Sequence, residues 1–140
     1  MGTHYPTQDY FRLVASGSRD AATYTYALPP IREHRGVQIL LSVTVSGASG
    51  TVDAKLQYQN PISLAWTDVP NATFVQFGAG ATGEKFISVH PNLTGSDSDA
   101  SVAIATDFKM IGQFPLRTQR LSVTVGTGAV TFSAGGYLLP

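Results

Sequence analysis

Residues 36–59 read Gly36-Val37-Gln38-Ile39-Leu40-Leu41-Ser42-Val43-Thr44-Val45-Ser46, then Gly47-Ala48-Ser49-Gly50, then Thr51-Val52-Asp53-Ala54-Lys55-Leu56-Gln57-Tyr58-Gln59. In the first arm Val37, Ile39, Leu41, Val43 and Val45 share one parity, and Gln38, Ser42 and Thr44 the other. In the second, Val52, Ala54, Leu56 and Tyr58 alternate with Thr51, Asp53, Lys55 and Gln57. Side chains of a strand point alternately to opposite faces, so each arm has one apolar and one polar face. Two such arms joined by a short glycine-bounded segment predict a β-hairpin. Leu40 breaks the alternation and is expected to touch a neighbouring element or a partner.

Outward from this stretch the same signals recur. Ala22–Leu28 alternates Thr with Tyr and predicts a strand stopped by Pro29-Pro30. Ile31-Arg32-Glu33-His34-Arg35 is the most charged stretch. The only Trp lies in Leu64-Ala65-Trp66-Thr67-Asp68-Val69, after Asn60-Pro61. Short strands are expected at Thr73–Phe77, Glu84–His90 and Ser101–Thr106, with loop or edge at Ile111–Leu116. A closing hairpin is expected over 120–134, around Gly126-Thr127-Gly128. The pentapeptide Leu-Ser-Val-Thr-Val occurs at 41–45 and again at 121–125, which suggests a repeated structural role. Short strands, 14 Gly, 8 Pro and almost no helical period predict an all-β fold, an antiparallel β-sandwich or jelly-roll-like barrel. Residues 1–20 hold no period, so they read as an extended N-terminal arm before a single β-sandwich domain over 21–140.

The totals exclude several classes. At 140 residues one domain is expected, burying about 68% of its unfolded surface. There is no cysteine, which argues against a disulfide scaffold. Nine basic and nine acidic residues cancel, leaving no case for nucleic acid or anionic membrane. Charged residues make up 13%, about half the usual share of ~25%. A surface of low charge is poorly protected against association, which hints at an assembled protein. No secretory signal is visible, and no apolar run approaches the ~20 residues needed to span a bilayer.

Candidate chemistry is thin. His4, His34 and His90 lack the local spacing of a metal site or triad, and read as surface or interface residues. Glu33 and Glu84 could pair with aspartates as a glycosidase dyad, but nothing singles them out among nine carboxylates. Gly95-Ser96-Asp97-Ser98-Asp99 reads as a solvated acidic turn, with a weak calcium site as the alternative. Asn71-Ala72-Thr73 and Asn92-Leu93-Thr94 match glycosylation sequons without a secretory context. Trp66 with Tyr58 could form a sugar-stacking platform, although a Trp between Leu64 and Val69 is more often a core residue. No cofactor, metal or catalytic residue is expected. The aromatics and aliphatics of the arm, Tyr5, Tyr10, Phe11, Leu13 and Val14, read instead as subunit or capsid contacts. Arg32 and His34 of the charged stretch join them. On this reading the arm serves assembly, and its removal leaves the stability of the domain nearly unchanged.

One resemblance points to a family. Its residues are Arg35-Gly36-Val37 opening an apolar strand, Ser49-Gly50-Thr51 before Lys55-Leu56-Gln57, and Trp66 in the next segment. Further on come Val89-His90-Pro91-Asn92-Leu93, then Arg117 with Arg120-Leu121-Ser122-Val123-Thr124-Val125, and the small-residue end Ser133–Leu139. In order and spacing, over roughly residues 20–140, the chain resembles small structural proteins of tailed-bacteriophage virions, of the capsid-decoration (cement) or minor-head type. The arm and the Asp97–Asp99 loop lie outside that pattern. The resemblance implies a non-enzymatic β-protein on the outer surface of the capsid. It also implies the major capsid protein as partner, and a homo-oligomer, with a trimer favoured. A tail or neck component, or a receptor- or glycan-binding β-module, would share the same composition.

Overall fold

The computed structural model describes residues 9–30, 36–90, 101–105, 108–111 and 118–139, with side chains for 10–30, 36–90 and 118–139. All regular structure among the described residues is strand. In chain order the strands are β1 (Asp9–Arg19), β2 (Ala22–Ala27), β3 (Gly36–Ser46), β4 (Thr51–Gln59) and β5 (Trp66–Thr73). Then come β6 (Gly83–Val89), β7 (Ser101–Ala105), β8 (Phe108–Ile111), β9 (Gln119–Gly126) and β10 (Val130–Leu139). They form a six-stranded sheet, ordered β1-β10-β3-β6-β8-β7, and a four-stranded sheet, ordered β2-β9-β4-β5. The chain is a β-sandwich. Its ladders are antiparallel except the parallel pair β6–β8.

The alternating arms at 37–59 form as expected, but they do not pair with each other. β3 lies in the six-stranded sheet and β4 in the four-stranded one, so the connection is an arch between sheets, not a hairpin. The expected closing hairpin is also an arch: β9 pairs β4 and β10 pairs β3. An arch and a hairpin demand the same alternation, because in both the apolar faces of the two arms share one core. Pairing partners are what separate them, and those come from far along the chain. The two arches lie side by side. Gly47 N donates to Ala129 O at 3.1 Å, and Ser49 Oγ donates to Thr127 O at 3.2 Å. Among the described ladders only β4–β5 and β7–β8 join consecutive strands.

The core lies between the sheets. Val37, Ile39, Leu41 and Val43 of β3 are buried, with Ile87 and Val89 of β6 and Val130 and Phe132 of β10. Against them pack Val52, Ala54 and Leu56 of β4 and Leu121, Val123 and Val125 of β9. Each of the Val, Leu, Ile and Phe side chains contributes about 1.5–3 kcal/mol when fully buried. Phe132 is fully buried and meets Tyr24 and Tyr26 of β2 edge-on, at 6.3 and 6.4 Å between ring centroids. The Arg19 guanidinium sits 4.6 Å from the same ring centroid. It donates to the Gly17, Phe132 and Ala15 carbonyls, so it closes the side of the sandwich between edge strands β1 and β2.

The expected arm needs correction. Asp9–Arg19 is β1, paired with β10 along its length from Asp9↔Leu138 to Arg19↔Val130. Phe11, Leu13 and Val14 pack against the core cluster. Two register shifts, between Arg12 and Val14 and between Val14 and Gly17, break the alternation, which is why no period was visible there. Residues 1–8 of the expected arm lie outside the described residues. β1 and β3 both crowd β10 at Gly135-Gly136. A Cβ on Gly136 would collide with the Gln38 carbonyl, and one on Gly135 would come within 2.6 Å of the Phe11 carbonyl. Strand boundaries elsewhere moved as well. The expected Thr73–Phe77 strand is the end of β5 and a loop that sends Phe74 and Phe77 into the core and leaves Val75 and Gln76 exposed, with an isolated bridge Val52↔Phe77.

Candidate functional site

With the core faces spent on each other, the chemistry available for binding lies on the two outer faces, and they differ. On the six-stranded sheet the outward row from β1 to β6 begins Tyr10–Tyr137–Gln38–Ser88, and the next is Arg12–Gly135–Leu40–Phe86. Tyr10 is 77% exposed and Tyr137 42% exposed, while Leu40 and Phe86 are half-buried. Gln38 Nε2 donates to Ser88 Oγ at 3.1 Å. Over β1, β10 and β3 this face forms an open groove of about 600 Å³, lined by Tyr10, Arg12, Leu40, Ser42, Gly135 and Tyr137 among others. Glycine at 135 and serines at 42 and 133 keep the floor low between the taller aromatic and aliphatic side chains.

The outer face of the four-stranded sheet is a polar lattice. Its rows across β2, β9 and β4 are Thr23–Thr124–Asp53, Thr25–Ser122–Lys55 and Ala27–Arg120–Gln57. β5 extends the last two with Thr73 and Asp68, and adds Trp66 beside Gln59. Arg120 Nε donates to Gln57 Oε1 at 2.8 Å, and Gln57 Nε2 donates to Asp68 Oδ1 at 2.9 Å. Lys55 Nζ reaches Asp68 Oδ2 at 3.0 Å, in a pair with side chains 39% and 55% exposed. An ion pair that open is worth well under about 1 kcal/mol. The bonds from Gln57 and then Lys55 hold the Asp68 carboxyl below its ordinary value of 3.8. The Arg120 guanidinium lies 4.3 Å from the Trp66 ring centroid, a cation–π contact. A bulge in β5 between Asp68 and Thr73 puts Asn71 in the left-handed region, at φ 62°.

Of the contact residues expected from sequence, Tyr10 points outward, while Phe11, Leu13 and Val14 are partly buried against the core. Tyr5, Arg32 and His34 lie outside the described residues, as do Glu33 and the Gly95–Asp99 turn. Trp66 is not a core residue, since it stands on the outer face under Arg120, and Tyr58 packs against the core instead of completing a platform with it. Leu40, the break in alternation, faces out of the sheet as its parity requires. Tyr137 and Phe86 were not singled out in the sequence. Phe86 could have been: two adjacent apolar residues in a strand, Phe86-Ile87, must face opposite ways. Among the described residues no three His, Asp or Glu side chains converge as metal ligands.

No protein-family model matches the chain, and no curated protein matches it. Solved structures give similarity at low identity. A structure of infectious bursal disease virus, Gx strain, superposes with a TM-score of 0.48 and 9% identity, over 91% of this chain and 30% of that one. The CBM36-1 domain of a multidomain xylanase from the hindgut metagenome of Trinervitermes trinervoides gives 0.42 and 8%, over 94% of this chain and 96% of that one. The xylan-binding module CBM15 gives 0.39 and 13%, over 99% and 88%. This chain therefore spans under a third of the viral chain it matches.

Proposed function

We propose that this protein is a non-catalytic structural module of a tailed-phage virion, a decoration or cement protein. It binds the major capsid protein on the outer capsid surface through the outer face of its six-stranded sheet. The observation that carries the reading is the Tyr10, Tyr137, Leu40 and Phe86 cluster on that face. Protein–protein contacts are centred on aromatic and aliphatic side chains with few charges, and a polar rim surrounds them. This face matches that anatomy, with Arg12 and the Gln38–Ser88 pair beside the apolar residues. The sequence resemblance supplies the identity of the partner and the expectation of a trimer. Balanced charge and a low charged fraction suit a protein that works assembled.

The test is co-sedimentation with expanded capsids that lack the protein. Wild type should bind to saturation, and Leu40→Asp, on the outer face of β3, should lose binding while circular dichroism confirms its fold. Tyr10→Ala with Tyr137→Ala should weaken binding by about 2 kcal/mol per well-buried anchor. Undiminished occupancy by both variants would overturn the proposal.

A further inference from the structure

The polar lattice of the four-stranded sheet plays no part in that docking. We infer that it is a second binding surface, for a neutral, extended β-linked pyranose oligosaccharide. Trp66 is the stacking ring, and Gln57, Asp68 and Arg120 are the hydrogen-bonding groups. A plain solvated sheet face would need only polar side chains. This one carries the chain's single Trp, half-exposed at the end of a polar row, with its neighbour Arg120 stacked 4.3 Å from the ring centroid. Half-buried as it is, the indole gives this polar face apolar surface that its neighbours lack. The Arg120 guanidinium covers one face of the indole, and the opposite apolar face suits the C–H face of a pyranose.

The hydrogen-bonding groups are already ordered. Arg120, Gln57 and Asp68 form one row across β9, β4 and β5, tied at 2.8 and 2.9 Å. Arg120 spends Nε on Gln57, and its planar fork has further N–H donors for paired hydroxyls. Asp68 accepts one bond at each oxygen, and a carboxylate can accept about four. Side chains held in place before binding lose little entropy when a ligand arrives.

Charge and shape narrow the class. Lys55 and Arg120 stand among Asp53 and Asp68 on this face, so it presents no net field to attract a phosphate or sulfate. A hollow on this face, about 210 Å³ between Asp53, Lys55, Thr73, Ser122 and Thr124, is smaller than the ~300 Å³ or more of pockets that enclose a ligand. The ligand therefore lies along a row, on the open sheet face, and is not swallowed. Side chains within a row, on neighbouring strands, stand about 4.8 Å apart, close to the length of one unit in an extended β-linked glycan.

Because Trp66 is the only Trp, its emission reports on this face alone. The full-length protein is titrated with cellohexaose, mannohexaose and chitohexaose, and with a heparin hexasaccharide as the anionic control. The expected result is a saturable change in emission with at least one neutral hexasaccharide, at a Kd of about 1 mM or below, and weaker or no response to heparin. Gln57→Ala retains the reporter and should weaken binding about tenfold, the loss of one well-placed hydrogen bond. Trp66→Ala, followed by calorimetry, should abolish it, with circular dichroism confirming the fold in both variants. The inference is overturned by no saturable response to any of the three neutral sugars. It is equally overturned by heparin binding as tightly, or by unchanged affinity in folded Gln57→Ala and Trp66→Ala. Loss of capsid binding in Trp66→Ala, without any sugar response in wild type, would mark the face as a protein contact and overturn it too.

Discussion

Val45 and Val125 end two copies of the same pentapeptide, and their surroundings differ completely. Val125 is 2% exposed and Val45 61% exposed. The cause is one residue: the β3–β10 register steps from Thr131↔Val45 to Phe132↔Val43, so Thr44 bulges and turns the side chain after it outward. Val125→Thr should therefore destabilise by about 1–3 kcal/mol by placing a hydroxyl in the core. Val45→Thr should stay within about 0.5 kcal/mol. Urea unfolding of the two variants checks the contrast, and equal costs would mean the bulge is misplaced. At this scale the buried face was legible for Leu121, Val123 and Val125 and for Leu41 and Val43, because period-two alternation fixes side-chain parity, whereas Val45, read onto the same face, is turned out. The bulge was not legible, because nothing in Ser-Val-Thr-Val marks which residue is extra. A second residue-scale expectation concerns pH. Asp68 has a folded pKa below 3.8, lowered by Gln57 and Lys55, so its ionised form favours folding. That contribution is present above the unfolded value and is lost as pH falls through the folded one. The stability difference between wild type and Asp68→Asn should shrink as pH drops from about 5 toward 2. It should be small throughout, because the carboxylate is 55% exposed. A difference that grows on acidification would contradict the assigned hydrogen bonds.

β1 shows what sequence could and could not give at the level of elements. Its aromatics were visible, but two bulges hid their period, and its partner β10 lies at the opposite end of the chain. The outcome reverses the expected consequence of deleting it. Removal of residues 1–19 takes away the half-buried Phe11, Leu13 and Val14, each worth about 1 kcal/mol at partial burial. It also leaves β10 as a raw sheet edge. The truncated protein should lose about 3 kcal/mol in denaturant unfolding and associate more readily. Unchanged stability would mean that β1 is held only loosely and acts as an arm after all. The two arches carry the same lesson. Alternation with glycine-bounded turns was correctly legible as strand–turn–strand, yet it could not tell pairing within a sheet from packing between sheets. Only the remote partners, β9 for β4 and β10 for β3, decide that.

For the whole molecule, the all-β class was legible because so many short segments alternate and so few repeat at 3.6 residues. The candidate surface was legible only in part. Tyr10 and the out-of-pattern Leu40 were marked in the sequence, whereas Tyr137 joins them through a ladder between chain ends. Trp66 needed Arg120, which stands next to it only because β9 and β5 both flank β4. The sandwich thus sets an apolar-bearing face and a polar face back to back, and we propose a protein shell as partner for the first and a sugar for the second. Hydroxyl-radical footprinting, free and capsid-bound, compares both faces in one experiment and tests that division most directly. Tyr10 and Tyr137 should be strongly protected on capsids while Trp66 keeps its free-state reactivity. Protection of Trp66 with both tyrosines still reactive would contradict the account.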